Sequence, residues 1–202
     1  MKKSIFIIIL VLLIDQISKI YVKTNFYYNE DVVIFDWFRL HFIENNGMAW
    51  GYEFGGRAGK LFLTIFRLIA ITGIGYWLYN SIKKGGHTIL IFAISFIFAG
   101  ALGNILDSVF YGVIFNTPGG YEIATLFSEE PYGELFFGKV VDMFYFPFVE
   151  NGMVPAWIPF IGGKTFTFFN AIFNVADSAV SVGVVLLLLF NKRVFPKEDE
   201  AV

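Results

Sequence analysis

The chain of 202 residues has no cysteine, only two histidines, six prolines, and a charged fraction of 16%. Without cysteine there is no thiolate nucleophile, no disulfide and no thiolate-held iron–sulfur cluster, although this says nothing about the redox state of the compartment. His41 and His87 are the only imidazoles, which removes most zinc sites and Ser-His schemes. Net charge is -2 with no basic cluster, so the electrostatic footprint of a nucleic-acid binder is missing and no nucleic-acid partner is expected. No internal repeat or low-complexity tract stands out.

What the chain does have is apolar surface. It is 56% hydrophobic and 20% aromatic, with a mean hydropathy of +0.65, outside the usual soluble range and pointing to a membrane protein. Its 26 Phe and ten Tyr exceed what a small helix bundle needs for packing, so many belong at the water interface or in an apolar groove for a lipid-like ligand. Four stretches, 4–22, 61–79, 88–106 and 170–190, are long enough to cross about 30 Å of hydrocarbon at about 1.5 Å per residue. Four transmembrane helices in a single membrane-embedded domain, 1–202, are expected. Lys2, Lys3, Lys83, Lys84, Lys192, Arg193 and Lys197 flank these spans on one side, which makes both termini cytoplasmic and puts 23–60 and 107–169 on the other face. The first run looks like a leader peptide but continues into DQISKIYV without a small-residue cleavage site, so it reads as a retained helix. In the outer segments, VVIFDWFRLHFIE and KVVDMFYFPFV are β-branched and aromatic, which predicts a small sheet, and GGRAGK and GGYEIATLFSEEPYGE read as turns or a flap.

Against this background two acids stand out: Asp142 in VVDMFYF and Asp177 in FNVADSAVSVGVVLLLLF have no nearby cation in sequence. An ionised Asp near a bilayer core costs at least about 2.5 kcal/mol, so such a residue is a functional-site candidate whose partner should be sought. Asn170, Asn174, Asp177 and Ser181 recur at helical spacing, forming a polar stripe that must face protein or water. In GALGNILD, Asn104 and Asp107 share a face and Gly100 and Gly103 permit close helix approach. Asp15, four residues before Lys19, either joins this polar region near the outer leaflet or simply neutralises the lysine. Two acids in one apolar site cannot both ionise cheaply, so one keeps a proton while the other remains a carboxylate. Such a pair can activate water against a peptide carbonyl and later protonate the leaving amine, with no metal, cofactor or side-chain nucleophile required. The rival readings are a proton- or cation-coupled transporter, with the carboxylates as a relay, and a non-catalytic membrane scaffold.

Five blocks then occur in order: DQISK with Asp15, ENNGMAWG with Asn45 and Gly47, GALGNILD with Asn104 and Asp107, VVDMF with Asp142, and FNVADS with Asn174, Ala176 and Asp177. As a set they resemble the lipoprotein signal peptidase (signal peptidase II) family over nearly the whole chain. The resemblance implies an intramembrane aspartic endopeptidase of the bacterial inner membrane, cutting diacylglyceryl-modified prolipoproteins N-terminal to the lipidated Cys. It implies Asp142 and Asp177 as the catalytic pair, with Asp15, Asn45, Gly47, Asn104, Asp107, Asn174 and Ala176 orienting it or binding substrate. It also implies a membrane α-helical fold with a small outer sheet, the cradle, and a short outer helix, in a monomer whose partners are the prolipoprotein and membrane lipid. Two departures are visible. The family usually has Arg where this chain has Ser108, with Lys139 and Lys164 as candidate replacements, and 34 residues lie between Asp107 and Asp142, more than is typical of the family.

Overall fold

The structure is a computed structural model and describes residues 1–47, 55–116 and 121–195. Helix α1 (Lys2–Lys23) buries Ser4, Val11, Asp15, Lys19, Val22 and Lys23 and exposes Phe6, Ile9, Leu13 and Ile17. Charge inside and hydrocarbon outside is the reverse of a soluble amphipathic helix, and it suits a helix whose solvent is lipid. Helices α2 (Gly56–Lys83) and α3 (Thr88–Ile114) follow as a hairpin, with His87 Nδ1 accepting from the Ile89 amide at 3.2 Å to cap α3. These three helices are each long and apolar enough to cross a membrane. Helix α3 is central and packs against α1, α2 and α4 (Val175–Leu189). Its crossing with α4 is tight: a side chain at Gly100 would collide with the Ala176 carbonyl. A single turn, α5 (Asn191–Val194), follows α4.

Over one end of the bundle lies an antiparallel sheet in the order β1 (Asp31–Phe35), β2 (Phe38–Asn45), β3 (Val140–Tyr145) and β6 (Ile172–Phe173). A separate hairpin pairs β4 (Val149–Met153) with β5 (Thr165–Phe168). Val22, Phe42, Tyr111, Phe115, Val141 and Met143 form the buried cluster that joins the sheet to the last turns of α1 and α3. The expected strands in 31–45 and 140–145 are therefore present, while β4, β5 and β6 are additional.

The fourth expected span differs most. Over 170–190 only Val175–Leu189, 15 residues, is helical, about 22 Å at 1.5 Å per residue and short of the roughly 30 Å hydrocarbon core. Ile172 and Phe173 instead pair with Tyr145 and Phe144, and Asn174 closes a capping box that starts the helix. Asn170 consequently lies outside α4 and Ser181 is exposed on it, so the polar stripe contracts to Asn174 and Asp177. GGRAGK is not a flap; from Gly56 onward it is the first turn of α2. In the glycine-rich outer segment, residues 121–134 have no strand or helix and are held to the end of α3 by the Tyr132 amide on the Phe115 carbonyl and the Gly133 amide on the Gly112 carbonyl, both at 2.9 Å. Among the described residues no separate helix stands over the sheet.

Candidate active site

Strand β3, rich in β-branched and aromatic residues, carries Asp142 into the interface between sheet and bundle, where it is 4% exposed. Asn45, diagonal to it on β2, donates its Nδ2 to Asp142 Oδ2, and Asn174 Nδ2 donates to Oδ1 at 2.7 Å. Asn45 is itself fixed because its Oδ1 accepts from the Gly47 amide at 2.6 Å. Gly47 sits at φ +88, a conformation that favours glycine, and its carbonyl accepts from Arg67. Burial, and then the like charge of Asp177, push the Asp142 carboxyl up to about 7, against the opposing pull of Lys19 and the two amide donors.

Asp177 occupies the first turn of α4, where the positive end of the helix dipole favours a carboxylate. Its local geometry follows from sequence: Asn174 Oδ1 accepts from the Asp177 amide at 2.9 Å while Asp177 Oδ2 accepts from the Asn174 amide at 3.3 Å, the reciprocal capping box. The other oxygen, Oδ1, accepts from Asn104 Nδ2 at 2.8 Å. Asn174 Nδ2 also reaches Asn104 Oδ1 at 3.1 Å, so two amide side chains connect the two aspartates.

Behind the amides lies a buried ionic hub. Lys19 Nζ is 2.9 Å from Asp15, 2.8 Å from Asp107 and 2.8 Å from Asn104 Oδ1, and all three charged side chains are fully buried. Gln16 Nε2 donates to both carboxylates, at 3.1 Å to Asp15 and 2.9 Å to Asp107. Asp15 also accepts from the Ala176 amide at 2.9 Å, and Asp107 from the Val141 amide at 3.4 Å. The hub therefore fixes the backbone immediately beside Asp177 and Asp142. Gly103 makes room for it, since a Cβ there would lie 2.6 Å from Asp15 Oδ2.

The nine residues that the family resemblance implied converge on this cluster: Asp142, Asp177, Asp15, Asn45, Gly47, Asn104, Asp107, Asn174 and Ala176, the last through its backbone. Met48 to Gly51 of the ENNGMAWG block lie outside the described residues. Two participants, Gln16 and Arg67, were not anticipated, and a third, Lys19, has a larger role than its expected pairing with Asp15. Lys19 is a hub for two acids and an amide rather than a partner of Asp15 alone, Gln16 bridges the acids, and Arg67 holds Gly47 while its charge acts on Asp177. Arg67 was legible as the one charged residue in 61–79. The cations offered in place of an Arg at position 108 stand elsewhere: Lys139 is 3.6 Å from Glu44, and Lys164 is exposed next to β5. Ser108 itself donates to the Asn104 carbonyl at 2.9 Å. His41 bonds Asn29 at 2.9 Å and His87 caps α3, so both imidazoles have other work.

A model of the signal peptidase (SPase) II family matches residues 7–192. The chain is 48% identical over 189 residues to a lipoprotein signal peptidase of Porphyromonas gingivalis, covering 93% of this chain and 81% of that protein. With a lipoprotein signal peptidase of Amoebophilus asiaticus it shares 34% identity over 194 residues, 93% of this chain and 76% of the relative. In structure it is similar to a bacterial membrane enzyme determined by the in meso method at 2.3 Å resolution, with a TM-score of 0.61 and 26% identity over 98% of this chain and 93% of that one.

Proposed function

The chain belongs to the signal peptidase II family, and from that membership we propose that it removes signal peptides from prolipoproteins with Asp142 and Asp177 as a water-activating dyad. Membership favours a peptidase over the transporter and scaffold readings. The single observation that carries the dyad is the bridging of the two aspartates by Asn174 and Asn104. Asp142, its proton affinity raised to about 7, is the carboxyl that holds the shared proton and donates to the peptide carbonyl oxygen. Asp177, at the helix N-terminus, is the carboxylate that takes a proton from the attacking water. As the tetrahedral intermediate collapses, that proton passes to the leaving amine and the C–N bond breaks. Asn45, Asn104 and Asn174 aim the carboxylates, and Asp15, Lys19 and Asp107 hold the elements that carry them.

The substrate is a diacylglyceryl-modified prolipoprotein cut N-terminal to its lipidated Cys, met by a monomer from within the inner membrane. Lys2 and Lys3 open α1, Lys83 and Lys84 end α2, and Lys192 and Arg193 follow α4, whereas Lys19 lies near the other end of α1 and Asp177 in the first turn of α4. With the positive-inside rule this supports cytoplasmic termini and a dyad near the outer leaflet. The test is cleavage of a prolipoprotein peptide with and without its diacylglyceryl group, the cut bond being located by mass spectrometry. A cut immediately before the lipidated Cys, absent from the unlipidated peptide, is expected; equal cleavage of both peptides would overturn the substrate assignment.

A further inference from the structure

Separate from the dyad, a cavity of about 540 Å³ lies between the first turn of α2 and the 131–139 segment. Among the described residues Arg57, Lys60 and Lys139 line it with one acid, Glu134, over apolar surface from Tyr132 and Phe137, and Lys60 already donates to Asn46 Oδ1 at 2.7 Å, leaving its other ammonium protons to further acceptors. That acid compensates little. Arg57 and Glu134 meet at 2.5 Å but each is 68% exposed, a pair that water and ions loosen readily. Lys139 approaches Glu44 at 3.6 Å, yet Glu44 is already ion-paired with the buried Lys23. Gly55, the N-cap of α2, supplies no side-chain acceptor, so the first amides of α2 and the positive end of its dipole add to the cationic character. Arg57 lies over the Phe137 ring at 4.5 Å and Lys139 over Tyr132 at 5.7 Å, so aromatic faces orient two of the cations.

We propose that this cavity binds a phosphate group, and that its source is the headgroup of an anionic phospholipid. The guanidinium of Arg57 offers a planar fork and the two ammonium groups point charges, which together match a phosphodiester better than a lone carboxylate. The cavity is large enough for a phosphoglycerol headgroup by the usual range for small-ligand sites. Immediately along α2, Phe62, Ile65, Phe66 and Ile69 are exposed and Leu63 lines the cavity, so acyl chains can lie against the helix while the phosphate occupies its first turn. Asn46 and Lys139 on the cavity wall are one residue from Asn45 and three from Asp142, which puts a bound headgroup next to the elements holding the dyad.

The test uses the full-length protein in a neutral detergent and measures saturable binding of short-chain phosphatidylglycerol, short-chain phosphatidylcholine, glycerol phosphate and inorganic phosphate, a readout independent of peptidase activity. Wild type is expected to bind phosphatidylglycerol, and the Arg57→Ala/Lys60→Ala variant at least about tenfold more weakly, from the loss of two charge-assisted contacts. Glu134→Gln, which removes the acid, is expected to bind as tightly or more tightly, an outcome that loss of structure cannot give. Phosphatidylglycerol outcompeting glycerol phosphate and inorganic phosphate assigns the site to lipid. Equal binding of all three keeps the phosphate site and overturns its lipid source. Equal binding of phosphatidylcholine, no saturable binding by any probe, displacement by acidic peptides but by no phosphate, or full affinity in the double alanine variant would overturn the proposal.

Discussion

Replacing Lys19 with Met isolates the contribution of the ionic hub. The ammonium sits 2.8 to 2.9 Å from two carboxylates and one amide oxygen, with no exposed side-chain surface on any of the three charged partners. Removing one member of a buried ion pair costs about 3–5 kcal/mol, because the remaining charge is left uncompensated. The penalty in Lys19→Met should therefore be about 3–5 kcal/mol at pH 7. Adding Asp107→Asn removes the excess negative charge and should recover at least about 2 kcal/mol at pH 7. Denaturation in detergent micelles at pH 7 measures both. A loss below about 1 kcal/mol at pH 7, or a double variant that only adds the two single penalties, would rule out a buried ionic hub centred on Lys19.

The Asp142 carboxyl, raised from 3.8 to about 7 in the folded protein, contributes stability that is complete below about pH 4 and is lost as pH rises through 7; Asp142→Asn should flatten unfolding free energy across pH 4 to 8. Peptidase activity should decline over the same upper limb, read from initial rates between pH 5 and pH 9. Asn174→Ala removes both a helix cap and a donor to the Asp142 carboxylate, which should cost about 1–2 kcal/mol in stability and move that limb to higher pH, since the lost donor favoured the ionised form. In Gly103→Ala the new methyl would stand 2.6 Å from Asp15 Oδ2 and 3.2 Å from Ala176 Cβ, so α1, α3 and α4 must separate. About 1–3 kcal/mol of stability should be lost, and the cleavage rate should fall more than tenfold as the dyad is displaced, compared at matched folded fraction.

Much of this site was readable because lipid makes the rule for charge strict. Asp142 and Asp177 stood out as unneutralised acids in apolar runs, and five short blocks in order carried the family. The long helices run past their expected ends, most of all α2 to Gly56–Lys83 and α3 to Thr88–Ile114, and in α3 the added residues Asp107 and Ser108 are buried against protein. The misreading at 170–190 had a physical cause: an apolar strand such as Ile172–Phe173 and an apolar helix have the same composition over a few residues. The step between them is set by the Asn174 capping box and by pairing with β3, and the pairing is a long-range contact. The roles of Lys19, Gln16 and Arg67 were hidden for a similar reason. An i, i+4 pair explains Lys19 locally, whereas Asp107 and Asn104 reach it only once α1 packs on α3.

The claim that Asp142 and Asp177 act as one water-activating pair is tested most directly by single-turnover cleavage of a diacylglyceryl-modified prolipoprotein peptide by wild type, Asp142→Asn and Asp177→Asn. The three proteins are first matched for folded fraction by unfolding in the same detergent. Each substitution alone should reduce cleavage by at least about a thousandfold, and combining them should add little, since the residues work as a unit. Cleavage retained by either variant at near wild-type rate would contradict it.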